Sequence, residues 1–198
     1  MESPKSDQMD RAKFKELLLY VASRLLGDPS FGSVKLNKVL FFSDVVHYAS
    51  YGNSITGATY VRHRRGPAPK GLTEIQQELV RDGDADLAVL QNGRRVQKIL
   101  FPKRLADIGG FTGQEIETVG LVLKAFKDHT AEEMSELSHQ MDGWQIAPML
   151  AEIPYEAIFL YHGPVTDDDV EAGRQLAKTL NKELASAGIT PIDAAYAA

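Results

Sequence analysis

Two runs of strand-forming residues meet at Asn92-Gly93 in DADLAVLQNGRRVQKILFP, residues 84–102. Asn-Gly is the preferred pair for a two-residue hairpin turn, because both positions tolerate positive φ. The stretch predicts a β-hairpin and limits the chain to folds that can seat one. Most of the remaining chain has helical spacing. In MDRAKFKELLLYVASRLL, residues Phe14, Leu17, Leu18, Tyr20, Val21 and Leu25 fall mostly on one helical face. GDPSFG breaks that helix, and Ser33 is a candidate N-cap for a second, VKLNKVLFFSDVVHYASY. There Leu36, Val39, Leu40, Ser43, Val46 and His47 recur at three and four. Leu36, Leu40, Phe41, Val45 and Tyr48 are its expected core residues.

ITGATYV reads as a short strand. GPAPKGLTEIQQELVRDG reads as a helix with prolines at its start and Gly83 at its end. Further helices are expected near 113–128 and 130–141. Pro148, Pro154 and Pro164 restrict the next stretch to short helix and extended chain. An acidic helix opening at Thr166 is expected over about 166–187, with Gly188 closing it and a flexible tail over 189–198. The expected fold class is mainly α (α+β): one compact helical domain spanning 1–198, with a small β component and a C-terminal helix.

The chain has no cysteine, which excludes disulfides, thiolate nucleophiles and thiolate metal sites. Its first ten residues are too polar for a signal peptide, and no apolar run reaches membrane-spanning length. A cytoplasmic protein is expected. Formal charge is −5 but uneven. Residues 62–104 carry net +5 and residues 105–198 carry net −11.

Catalytic signatures are missing. No phosphate-binding glycine loop, dinucleotide fingerprint or nucleophile elbow occurs. His47, His63, His129, His139 and His162 are scattered without helical zinc spacing. Ser138-His139 could form half of a hydrolytic pair, yet a lone histidine on an amphipathic helix is more often structural. Asp167, Asp168 and Asp169 suit a helix N-terminus better than a metal site. No catalysis, metal or cofactor is expected.

Positive charge concentrates in YVRHRRGPAPKGL, residues 60–72. Arg62, His63, Arg64 and Arg65 precede Gly66, Pro67 and Pro69. Prolines remove backbone freedom, and a pre-ordered segment loses less entropy on binding. Arginine forks onto carboxylates and stacks on aromatic rings. A partner-binding surface of Tyr60, Arg62, His63, Arg64, Arg65, Gly66, Pro67 and Pro69 is one reading. Internal pairing of the arginines with the acidic C-terminal half is the other. Helices followed by a hairpin also fit a winged helix with Arg94 and Arg95 at the wing tip. Against that, the third helix carries Glu74, Glu78 and Asp82, and the chain is acidic.

The ordered run VKLNKVLFFSDVVHYASYGNSITGATYVRHRRGPAPKGL resembles the Panacea domain of SocA-like antitoxins and phage-associated relatives. Lys35, Leu36, Asn37, Lys38, Leu40, Phe42, Asp44, His47, Tyr51, Gly52, Ile55, Thr56, Gly57, Tyr60, Gly66, Pro67 and Pro69 follow the family pattern. ELSHQMDGW resembles its second element, with Ser138, His139 and Trp144. Coverage runs from about residue 12 to 160. VRHRR is more basic than the pattern, and the acidic helix after residue 165 lies outside it. The resemblance implies an antitoxin that neutralises a cognate protein toxin by direct contact, or an adaptor delivering it to a protease. It implies no cofactor. Within the motif, Asp44 and His47 are expected to hydrogen-bond each other, three apart on one helix. Trp144 is expected as a core anchor. The tail ending in Ala197-Ala198 is a candidate degradation handle.

Overall fold

The structure is a computed structural model that describes residues 9–92 and 95–160, plus Glu171, Arg174, Gln175 and Lys178; at 92, 95 and 159 the backbone alone is described. The chain falls into two compact units, Met1–Leu160 and Tyr161–Ala198. In the second unit the four described residues are helical, and Gln175 donates to Glu171 at 2.7 Å. The expected helix limits at 166–187, and the tail at 189–198, lie outside the described residues.

The first unit is mainly helical. Helix α1 spans Arg11–Leu25 and starts where the Asp10 carboxylate accepts from Lys13 N. Its buried face is Phe14, Leu17, Leu18, Leu19, Val21, Ala22 and Leu25. Leu19 is buried and Tyr20 only half-buried, so the apolar stripe is wider than the spacing suggests.

Helix α2, Ser33–Tyr51, is the central element; α1 and the later helices α4, Gly113–Ala125, and α5, Ala131–His139, pack around it. Ser33 is its first helical residue rather than its N-cap, a role Gly32 takes. The Ser33 hydroxyl donates instead to the Lys98 carbonyl at 3.2 Å. Gly52 closes α2 at φ +78°, its N–H bonding Tyr48 O at 2.8 Å. Val46 is exposed and Tyr48 half-buried, whereas Leu36, Leu40, Phe41 and Val45 enter the core as expected.

Strand β1, Tyr60–His63, pairs antiparallel with β2, Gly66–Pro69, in the register Tyr60↔Pro69 to His63↔Gly66. GPAP is therefore a strand, not the start of a helix. A short β5, Glu152–Ile153, lies on the other side of β1, so β2 is an edge. Prolines belong on edges because they lack the N–H that a neighbouring strand would need.

Helix α3, Leu72–Arg81, follows from Gly71. Its Glu78 accepts from Arg11 at 2.5 Å and pairs with Lys15 at 3.1 Å, tying α3 to α1. The expected hairpin is β3, Ala85–Asn92, with β4, Arg95–Pro102. Its last pair is Asn92↔Arg95, so the ladder includes Asn92 rather than turning at it.

Helices α4 and α5 both open on capping boxes, Thr112 with Glu115 and Thr130 with Glu133. Each such cap contributes about 1 kcal/mol. Helix α6, Asp142–Ile146, and a 3-10 turn, Tyr155–Phe159, complete the unit. Among the described residues no helix is long and apolar enough to cross a membrane.

Candidate functional site: a basic hairpin above a buried lysine

Arg64 and Arg65 form the two-residue connection between β1 and β2, and both are exposed. Everything behind them is fixed. Gly66 sits at φ +97°, in the left-handed region that glycine tolerates. A Cβ there would collide with Ser138 Oγ and lie 2.7 Å from Lys38 Cε. Ser138 itself is buried and donates to Ser135 O at 2.7 Å. Pro67 and Pro69 are buried.

On β1, Tyr60 is buried and its hydroxyl donates to Asp44 at 2.7 Å. Arg62 is half-buried. Its guanidinium lies 4.3 Å from the Trp144 ring centroid and donates to Ala147 O at 2.6 Å. The backbone of Arg62 bonds Ala151 O and Leu150 N, both at 2.9 Å. His63 is exposed, and its carbonyl accepts from Trp144 Nε1 at 3.1 Å. The His139 ring stacks on Trp144, with centroids 3.9 Å apart. Burial, with the charges of Lys38 and Arg62, holds His139 below its ordinary range. Trp144 is half-buried against a small satellite cluster of Ala147, Ile153 and Ala157. It anchors the hairpin, not the main core, because the short α6 carries it outside the helical layer.

The helix motif splits into three roles. Leu36 is core. Asp44 and His47 do not bond each other. Asp44 instead accepts from Ile55 N, Thr56 N, Thr56 Oγ1 and Tyr60 Oη, at 2.7 to 3.1 Å. Four donors from the ITGATY segment satisfy a buried carboxylate better than one imidazole could. Burial still pushes its carboxyl up to about 6. His47 Nδ1 lies 3.2 Å from Thr118 Oγ1 on α4, and desolvation holds its pKa below the usual value.

Lys35 and Lys38, one turn apart, are each 1% exposed. Lys35 pairs with Asp28 at 2.5 Å and donates to His129 O at 2.6 Å. Lys38 has no carboxylate among the described residues; its ammonium donates to Pro67 O at 3.1 Å. Burial pushes it down to about 7. The Asn37 side-chain oxygen is also buried and has no partner among the described residues. The sequence shows both lysines in an apolar helix, but their partners, in the α1–α2 and α4–α5 connections and on strand β2, are set by the fold.

These groups border a cleft of about 660 Å³ between the start of α2, strand β2 and the start of α3. Its polar lining includes Asn37, Lys38, Arg64, Arg65, Lys70 and Glu74. The structure thus gathers His63, Arg64, Arg65, Gly66 and Pro69 at the cleft, while Tyr60 and Arg62 face inward and brace the hairpin. Among the described residues Arg62, Arg64 and Arg65 form no ion pair with a carboxylate. No group of three metal-ligating side chains occurs among them either. The proposed wing tip at Arg94 lies outside the described residues.

No curated protein and no solved structure matches this chain. A family model described as "Antitoxin SocA-like, Panacea domain" matches residues 36–145, just over half of the chain and including most of α2, the basic hairpin, Lys38 and Trp144. The chain belongs to the SocA-like antitoxin family that carries the Panacea domain.

Proposed function

We propose that this chain neutralises a protein toxin by direct contact and turns over no substrate. The observation that carries the reading is the exposed Arg64-Arg65 pair on a hairpin braced from behind by Tyr60, Arg62 and Pro67. Family membership supplies the class of partner. A rigid turn presenting two arginines loses little conformational entropy on docking, and arginine suits the centre of an interface. The test is co-expression with the product of the neighbouring gene. Growth should be rescued, and a complex of the two proteins should co-purify. Rescue without a complex rejects direct neutralisation. A complex that forms only as a prelude to loss of the toxin in cells would favour delivery to a protease.

A further inference from the structure

Building on that reading, we infer that the cleft beside β2 is the seat of an extended acidic segment of the partner, with a carboxylate directed at Lys38. The central observation is the contrast between two buried lysines on one helix. Lys35 has its carboxylate in Asp28; Lys38, equally buried, has a single backbone carbonyl among the described residues. A buried ammonium in this state is a poorly compensated charge, and an incoming anion stabilises it.

The surroundings favour the same ligand. Arg64, Arg65 and Lys70 stand on the cleft wall, and Lys70 is paired with Glu152 at 2.8 Å. Helices α2 and α3 both begin at the cleft, and neither N-terminus is capped by a side chain. Their first-turn N–H groups add partial positive charge. Glu74 is the carboxylate in the lining, on the first turn of α3.

The geometry specifies a peptide more than a bare ion. Val34, Val61, Ala68, Pro69 and Leu72 supply apolar wall between the polar groups. The segment does not add a strand to the sheet. Arg62 spends its backbone groups on Leu150 and Ala151, so Pro67 opposite it faces outward without an N–H. Recognition therefore runs through side chains and helix ends. Nucleic acid is disfavoured because its evenly spaced phosphates would meet Glu74, whereas a peptide can place an uncharged residue opposite it.

The experiment uses the full chain and a short fluorescein-labelled peptide alternating Glu and Leu, with a Gln-for-Glu counterpart. Anisotropy should show the Glu peptide binding at least about tenfold tighter than its counterpart. Lys38→Met should weaken it by about tenfold or more, as should Arg64→Gln with Arg65→Gln. The turn variant alters exposed residues and keeps the test decisive if Lys38→Met misfolds. Equal affinity for both peptides, no binding, or indifference to the turn variant overturns the inference. Tighter binding of a short single-stranded oligonucleotide also overturns it. Co-expression separates the two levels. Full rescue by the turn variant rejects the cleft and keeps the antitoxin reading; peptide binding by a protein that rescues nothing rejects the antitoxin reading and keeps the cleft.

Discussion

The Tyr60 hydroxyl donates to Asp44 Oδ2 at 2.7 Å, with both side chains at most 1% exposed. This bond joins the first strand of the basic hairpin to the central helix. Tyr60→Phe removes one of four donors and should lower unfolding stability by about 1–3 kcal/mol. Asp44→Ala takes the acceptor from Ile55 N, Thr56 N, Thr56 Oγ1 and Tyr60 Oη and should cost at least about 3 kcal/mol. Urea midpoints check both, and equal losses would show that the carboxylate is not the hub.

Lys38 predicts a pH dependence of stability. Its folded-state pKa is pushed down to about 7, whereas the unfolded chain holds the ordinary value of 10.5. Between those values the unfolded state binds the extra proton, so stability rises with pH from about 7 to about 10.5. The full span is about 5 kcal/mol at most. Lys38→Met should remove that rising limb and raise the urea midpoint at pH 7. A variant profile parallel to that of the parent protein would show that Lys38 titrates normally.

Gly66 should not tolerate a side chain. Its φ of +97° costs an L-residue about 1–2 kcal/mol, and a Cβ would strike Ser138 and the end of Lys38. Gly66→Ala should lose about 2 kcal/mol or more in thermal or urea unfolding. Gly52→Ala shares the positive φ, at +78°, but meets nothing within 4 Å, and should lose less. Equal losses would assign the whole effect to backbone strain.

What the sequence revealed follows the range of its forces. The β3–β4 hairpin and the helices α1, α2, α4 and α5 rest on periodicity and local turn chemistry, and all are present. The β1–β2 hairpin was hidden because prolines that protect an edge strand look like those that begin a helix. Asp44 and His47 stood in plain view, but their partners, Thr56 and Thr118, come from 12 and 71 residues away. The Lys38 environment was illegible for the same reason: burial, Pro67 and the missing carboxylate are tertiary facts.

The three arginines that the sequence groups together should separate under mutation. Arg62 is engaged within the protein: it donates to Ala147 O and covers Trp144, which is the one tryptophan of the chain. Arg62→Ala should cost roughly 2 kcal/mol from the lost charged hydrogen bond and cation–π contact. It should also shift tryptophan emission to the red, because the indole loses its cover. Arg64 and Arg65 are exposed at the turn and, among the described residues, pair with no carboxylate. Arg64→Glu with Arg65→Glu should leave the urea midpoint within about 0.5 kcal/mol and the emission unchanged. On the proposed function, binding of the partner toxin should nevertheless fall by about tenfold or more, with a smaller difference at high salt. If the turn variant instead unfolds like Arg62→Ala, the arginines share a structural role and the exposed pair is not the contact surface.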